Sequence, residues 1–259
     1  MSKAIVLLSG GQDSTTVLFL ALSTAPAYES VHCVSIDYGQ RHRRELQAAE
    51  EVAQIARKHY RSIKVTHEII RVPNILVSTS PLTCQAPLEQ YSDFETMDRT
   101  IGSRIEHTFV PMRNTLFLTL AANRAVCIGA KDIWVGICQE DNANYPDCRE
   151  KFRVSFEQTV NDSLGMRQYR VLAPLMHRSK AFTCVLAYSI PGCWEAMAHT
   201  HTSYDGQYPP TDMNHANVLR AHGFEEADLP DPLVLRAWRE GLMELPKARN
   251  YRPELIETV

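Results

Sequence analysis

Short apolar runs alternate along the chain with stretches of helical period. Ala4–Leu8 (AIVLL) is continuously apolar and predicts a buried strand, followed by a glycine turn and a helix from about Ser14. Val31–Ile36 predicts a second strand, followed by a charged helix from about Arg43 to His59, and Ile63–Ile69 a third strand. Ile133–Ile137 and Val171–Ala173 predict the fourth and fifth. Thr115–Ile128 (TLFLTLAANRAVCI) is apolar on most sides, which predicts a well-buried helix. Strands separated by helices predict βαβ units, hence an α/β fold with a doubly wound, mainly parallel sheet of five strands. Ser78 to His107 is polar and shows no period, as in the long insertions that form active-site lids. The chain after Trp194 reads as an appendage. The expected organisation is a main domain over 1–193, carrying the 78–107 insertion, with a helical segment over 194–259 on top.

Composition narrows this little. A chain of 259 residues, 44% hydrophobic and 22% charged, has the make-up of a soluble globular protein. A net charge of −3 supplies no basic field, so non-specific nucleic-acid binding is not indicated. No apolar run approaches the roughly 20 residues that span a bilayer. The five-residue run in MSKAIVLLSGG is too short for a signal-peptide core, so the expected location is the cytoplasm. The seven cysteines (Cys33, Cys84, Cys127, Cys138, Cys148, Cys184, Cys193) are odd in number and contain no C-x-x-C pair. Several lie within apolar runs, where a thiol behaves as a small hydrophobe. Neither disulfides nor a cysteine-bound metal is expected.

The first candidate chemistry lies between the first strand and the first helix, in Ser9-Gly10-Gly11-Gln12-Asp13-Ser14. Glycines allow positive φ and let backbone N–H groups approach an anion. The helix N-terminus adds partial positive charge, and Ser14, Thr15 and Thr16 add hydroxyls. An ordinary β–α turn needs only a Ser or Asp cap. The loop is not a Walker A motif, because G-K-[ST] is missing.

S-G-G-x-D-S resembles the signature of the N-type ATP pyrophosphatases, the PP-loop group. That resemblance implies cleavage of ATP to AMP and pyrophosphate, with a carboxylate or carbonyl activated as its adenylate. It implies ATP binding by Leu8, Ser9, Gly10, Gly11, Gln12, Asp13, Ser14 and Thr15, with Asp37 and Tyr38 at the end of the second strand, and catalytic roles for Asp13 and Ser14. Four further blocks resemble the 7-cyano-7-deazaguanine synthases of queuosine biosynthesis: DYGQRH (Asp37–His42), FVPMRNTLFLTLAANRA (Phe109–Ala125), GICQEDNANYPDCREKF (Gly136–Phe152) and APLMHRSK (Ala173–Lys180). The likeness spans nearly the whole chain. It implies adenylation of 7-carboxy-7-deazaguanine, amide formation with ammonia, and dehydration to the nitrile with a second ATP. Mg²⁺ on the ATP, a homodimer, and no membrane or direct nucleic-acid partner are expected with it.

Residue chemistry fits those expectations. A guanine-like edge presents adjacent N–H donors, which a carboxylate accepts in bidentate fashion, and Asp141 and Asp147 are the candidates. Arg113 and Lys180 are candidate catalytic clamps for phosphate charge. Tyr38 and Tyr145 offer stacking surface, and Arg149 completes the substrate-binding set. Each has a plainer reading. Arg113 beside Asn114 caps or pairs at a helix head, and Asp147 after Pro146 caps a helix starting near Cys148. Cys148 at a helix start is either an activated thiol or a wall, and an acyl-adenylate needs no covalent enzyme intermediate. Arg41, His42, Arg43 and Arg44 are a solvated helix start or a phosphate contact.

The segment HTSYDGQYPPTDMNHANVLRAHGF (His201–Phe224) departs from the family, whose corresponding part holds zinc on four cysteines. Thr202, Tyr204, Gly206, Pro209, Pro210, Leu219, Arg220 and Gly223 keep the frame. The cysteine positions correspond to Ser203, Thr211, Asn214 and Asn217, none a competent zinc ligand, so no zinc is expected. His199, His201 and His215 are an alternative metal set, and short polar side chains bonding the loop are the other reading. A segment altered here raises a second activity, an amide ligase that joins the deazaguanine to another amine, either a small molecule or a protein terminus. A third reading is a non-catalytic nucleotide- or deazapurine-binding partner. Pro232–Met243 has an apolar face for core or dimer.

Overall fold

In the computed structural model, which describes residues 2–84, 86–139 and 143–256, five parallel strands lie in the order β3-β2-β1-β4-β5. They are β1 (Lys3–Leu7), β2 (Ser30–Asp37), β3 (Lys64–Arg71), β4 (Asp132–Trp134) and β5 (Arg170–Leu172). Val6 of β1 stands opposite both Cys33 and Trp134. The sheet is therefore wound outward from β1 in both directions. Such a switch point leaves a crevice at the strands' carboxyl ends, where ligands bind in open α/β sheets.

The apolar run of β1 is explained by burial on both faces. Ala4, Val6 and Leu8 join one core with Val17 and Phe19 of α1 (Gln12–Leu22), Val52 of α2 (Arg44–His59) and Met197 of α7 (Cys193–Met197). Ile5 and Leu7 join the other with Leu118 and Ala121 of α4 (Arg113–Ile128) and Phe156 of α5 (Glu150–Ser163). Alternate side chains of a strand point to opposite faces, so one run feeds both cores.

Several expected elements differ in extent. The first helix starts at Gln12 rather than Ser14. The strand expected over Ile133–Ile137 stops at Trp134, because the chain then turns across the loop after β1. A Cβ on Gly136 would lie 2.8 Å from the Ser14 nitrogen. The well-buried helix expected over Thr115–Ile128 begins at Arg113 and is buried only at Leu118, Ala121, Ala122 and Ala125, with Val126 exposed. It covers one sheet face in a single layer, so its other side meets water.

The 78–107 stretch, read as irregular, contains α3 (Phe94–Ile101), capped by Asp93, whose carboxylate accepts from the Thr96 N–H at 2.7 Å. Eight residues with Met97 and Ile101 buried give too short a period to read in sequence. Tyr91, Met97 and Ile101 form a third small core with Val218 and Leu219 of α8 (His215–Glu226). The Tyr91 N–H donates to the Met213 carbonyl at 2.8 Å, and Phe94 stacks on His222 at 3.6 Å. The insertion is thus anchored to the C-terminal segment.

That segment lies against α6 (Lys180–Ser189) and α7 and continues through α9 (Pro232–Arg239), a 3₁₀ turn at Arg249–Tyr251 and α10 (Pro253–Ile256). Leu233, Val234, Leu235 and Ala237 of α9 are buried within the chain. The helix ends at Arg239, short of Met243, before Gly241 turns at φ 74°. All seven cysteines are free thiols. Among the described residues no helix is long and apolar enough to cross a membrane.

One ion pair ties α8 to the start of α9. Arg220 and Asp231 are 3% and 4% exposed, with nitrogen–oxygen distances of 2.6 and 2.8 Å. Thr200 and Thr202 each accept from Arg220 Nη1 at 2.8 Å, and Asp231 also caps α9 through the Leu233 N–H at 2.9 Å. Removing one member of such a pair strands the other charge in the interior. Asp231→Ala is expected to cost about 3–5 kcal/mol, read as a lower urea midpoint. A midpoint within error of the wild type would count against the pair as the tie.

Candidate active site at the carboxyl end of the sheet

The loop after β1 is wedged between two neighbours that leave no room for side chains. Gly10 has φ 85°, and a Cβ there would sit 2.2 Å from the Glu45 carbonyl and 2.8 Å from the Ala49 nitrogen of α2. On the far side Gly136 admits the Asp13–Ser14 backbone. The loop is closed by its own hydroxyls. Ser14 Oγ accepts from the Ser9 N–H at 3.1 Å and donates to the Gly11 carbonyl at 3.1 Å, while Ser9 Oγ accepts from the Gly11 N–H at 3.3 Å. Gly11 caps α1 without a side-chain bond, so the first turn presents backbone donors and the positive end of the helix. Lys180 Nζ donates to both Asp13 oxygens, at 2.9 and 2.8 Å. A Cβ on Gly223 of α8 would lie 2.4 Å from Lys180 Cγ, so that glycine lets the lysine stem lie flat under the loop.

This loop opens into a cavity of about 660 Å³. Of the residues expected at the site, Leu8, Ser9, Gly11, Gln12, Asp13, Ser14, Tyr38, Arg113, Tyr145, Arg149 and Lys180 line it. Gly10, Thr15, Asp37 and Asp147 are set back from its surface. Thr15 is fully buried inside α1, and the Asp37 carboxylate faces Arg43 at 3.4 Å and the Gly39 N–H at 3.4 Å. Asp141 lies outside the described residues.

Arg113 is the first residue of α4, a position where the helix dipole disfavours a cation. It follows Met112, which adopts a left-handed backbone at φ 64° that a non-glycine residue rarely takes. Two local rules broken in adjacent residues mark a place held by its surroundings. Those surroundings are electron-rich. Burial raises the pKa of Tyr38, Tyr145 and Tyr204 against the pull of Arg113, with Tyr204 pushed up to about 12. Burial also raises Asp147, again opposed by Arg113.

The Asp147 carboxylate accepts from the Asn114 N–H at 3.3 Å, and Asn114 Nδ2 donates to the Asp147 carbonyl at 3.2 Å. Asp147 therefore caps α4, not the helix that follows it. Pro146–Cys148 is a 3₁₀ turn and α5 begins only at Glu150, so Cys148 is not in a helical first turn either. Its thiol accepts from Asn114 Nδ2 at 3.4 Å.

Sequence reasoning missed the groups that hold this wall. Glu106, 2% exposed, accepts from the Thr108 N–H at 2.6 Å and from the Tyr145 hydroxyl at 3.2 Å. It comes from the insertion, where polar composition gave no hint of burial. Glu45 lines the cavity from the first turn of α2, a place where an acidic residue looks like ordinary dipole compensation. Burial pushes its pKa up to about 7, against Arg113 and a hydrogen bond from Gln40 Nε2 at 2.8 Å.

A family model described as queuosine biosynthesis protein QueC matches residues 3–228. The chain belongs to the QueC family. A 7-cyano-7-deazaguanine synthase of Gloeobacter violaceus is 41% identical over 238 residues, covering 90% of this chain and 96% of that protein. One from Laribacter hongkongensis is 42% identical over 236 residues, covering 90% and 94%. Among solved structures, the U34-tRNA thiolase NcsA from Methanococcus maripaludis with its [4Fe-4S] cluster aligns at a TM-score of 0.42 and 12% identity, over 97% of this chain and 76% of that one. This QueC-family chain is thus an enzyme whose relatives serve queuosine biosynthesis.

The C-terminal wall of this QueC-family cavity is built from His201 to Tyr204 and the start of α8. Ser203 Oγ accepts from the Asp205 and Gln207 N–H groups, each at 3.3 Å. Asn214 caps α8 by accepting from the Asn217 N–H at 3.2 Å. Both asparagine side chains donate to the Asp212 carboxylate, Asn217 at 2.6 Å. Thr211 Oγ1 donates to Gln207 Oε1 at 3.4 Å. Of the three histidines weighed as metal ligands, His199 bonds Glu51 at 2.7 Å and His201 Nε2 the Ser203 carbonyl at 2.9 Å, while His215 begins α8. Among the described residues no three His, Cys, Asp or Glu side chains gather as a metal site.

Burial, with His42 at a ring distance of 4.9 Å, holds the His201 pKa down to about 4 from 6.5. In the unfolded chain His201 takes its proton near pH 6.5, whereas the folded protein refuses it until about 4. Acidification through that window favours unfolding, and the stability is fully present above it. The wild-type urea midpoint is expected to fall further between pH 7 and pH 5 than that of His201→Gln. Parallel falls would remove His201 as the cause.

Proposed function

We propose that this QueC-family enzyme adenylates 7-carboxy-7-deazaguanine with ATP and passes the acyl group to ammonia, a second ATP then dehydrating the amide to the 7-cyano product. The observation that carries this is the opening of an anion-binding loop and the wall of Arg113, Tyr38, Tyr145 and Arg149 into one cavity. Its 660 Å³ is in the range of sites that enclose small ligands. A carboxylate oxygen of the substrate attacks the α-phosphorus, the bond to the β-phosphate oxygen breaks, and pyrophosphate leaves with the electron pair. In this reading the loop's N–H groups and Lys180 take up that charge, and Arg113, which lines the same cavity, supports them.

Mg²⁺ supplies charge neutralisation on the ATP phosphates. Among the described residues the carboxylates lining the cavity are Asp13, held by Lys180, and Glu45, held by Gln40, a donor set that suits an ion carried by the phosphates with Asp13 beside it. The positions matched to the family's zinc cysteines carry hydroxyl and amide groups already bonded within the loop, a set that does not fit zinc. Of the two carboxylates expected to read a guanine-like edge, Asp147 is committed to α4, which leaves that role to Asp141.

A second reading, ligation to an amine other than ammonia, is favoured by the altered segment lining the cavity directly through His201, Ser203 and Tyr204. Purified protein incubated with 7-carboxy-7-deazaguanine, ATP and Mg²⁺, with and without ammonium, separates the two by product mass. An ammonium-dependent nitrile supports the first. Pyrophosphate release with only an acyl adenylate, or AMP release with an amide as the end product, supports the second, and no ATP turnover removes both. Arg113→Lys keeps the charge but loses the planar fork. If the fork holds developing charge, this variant is expected to slow AMP formation on the order of 10²- to 10³-fold, the effect of losing one positioned donor.

A further inference from the structure

Glu45 supports the phosphate loop with its backbone and faces the cavity with its side chain. Its Oε1 accepts from Gln40 Nε2 at 2.8 Å, and Gln40 Oε1 in turn accepts from the Tyr38 N–H at 3.0 Å, so the carboxylate is aimed by a fixed partner. Among the described residues Oε2 accepts no hydrogen bond. Arg113 reaches the group from α4, and Asp37 and Tyr38 from the end of β2.

We propose that Glu45 is the proton acceptor of the ligation step, which rests on the reading of this site as an adenylating ligase. The amine nitrogen attacks the acyl carbon, and the C–N bond forms at the cost of the carbonyl π pair. The nitrogen, now positive, gives its proton to Glu45. The carbonyl re-forms, the bond from carbon to the adenylate oxygen breaks, and AMP leaves with that electron pair. Glu45 then returns the proton to water.

Among the described residues, four other titratable groups near the cavity are already engaged or too weak. Asp13 is bound through both oxygens to Lys180, Asp147 caps α4, and Glu106 accepts from Thr108 and Tyr145. His201, with its pKa near 4 and its Nε2 on the Ser203 carbonyl, is too weak a base at neutrality. Burial, helped by Asp37 and opposed by Arg113 and Gln40, puts Glu45 at about 7. A base tuned to the working pH combines a useful ionised fraction with the strength to take the proton. Because the ionised form is the active one, the ligation rate should rise with pH through that value.

The test separates the two half-reactions. ATP–pyrophosphate exchange with 7-carboxy-7-deazaguanine and no amine reports adenylation. Product formation from hydroxylamine, largely free base below neutrality, reports ligation without the titration of ammonium. Glu45→Gln keeps an acceptor for Gln40. Ligation is expected to slow on the order of 10²- to 10⁴-fold, with exchange changed only a few-fold and the acid limb near 7 gone. Unslowed ligation would overturn the proposal. So would equal losses in both half-reactions, which would assign Glu45 to the loop or to Mg²⁺. Should that variant not fold, the wild-type hydroxylamine profile decides, since the absence of an acid limb near 7 also overturns it. No exchange in the wild type would instead sink the adenylation reading itself.

Discussion

The crevice is organised around one half-buried cation placed against its helix. Arg113 opens α4, where exposed N–H groups already concentrate positive charge, and a guanidinium added there is unfavourable. It is tolerated because negative charge and oxygen lone pairs surround it. Asp147 sits at the same helix end, Glu45 faces it from α2, and the oxygens of Tyr38, Tyr145 and Tyr204 lie near. Much of the remaining wall follows. Tyr145 must be held, so Glu106 and Thr108 are buried behind it, and Glu106 belongs to the insertion. The insertion needs its own anchor and finds it in α8. A chain of requirements thus runs from one arginine to the C-terminal segment.

A second constraint is spatial. The loop after β1 can present its backbone N–H groups only if they lie bare at the switch point, yet it must not collapse. Gly10 and Gly136 let α2 and the end of β4 press against it from two sides, and Gly223 does the same for Lys180. Close approach replaces side-chain bulk with backbone contact, so the donors are fixed without being covered. The shortness of β4 belongs to the same constraint, since the chain must leave the sheet to reach the loop.

The β1–loop–α1 unit and the parallel sheet were legible because their causes are local. An apolar run buried on both faces and adjacent glycines before a helix carry their meaning within a dozen residues. What was not legible depends on contacts far apart in the chain. Asp147 looks like a cap for its own helix, but its partner is Asn114, 33 positions upstream. Glu106 gains its importance from Tyr145, 39 positions away. The insertion read as irregular because its helix is two turns long and its apolar face is covered by residues from the other end of the chain. Glu45 was hidden for another reason. Its residue type and position satisfy the helix so well that nothing in the pattern asks for a second role.

The C-terminal segment is held by many weak ties rather than by one strong one. A structural zinc contributes about 10–16 kcal/mol in small zinc-binding peptides, whereas a single intramolecular hydrogen bond nets about 0.5–1.5 kcal/mol. The bonds that converge on Asp212 fall short of that scale on their own, and burial raises the pKa of their central carboxylate. The rest of the hold is spread over the small core shared by α3 and α8 and the Arg220–Asp231 pair. A staple concentrated at one ion fixes a loop whatever surrounds it. A hold spread over packing and hydrogen bonds fixes Tyr204 and His201 only as firmly as the insertion beside them. In this chain the insertion and the C-terminal segment therefore act as a single wall, and a substitution in either reaches the cavity through the other.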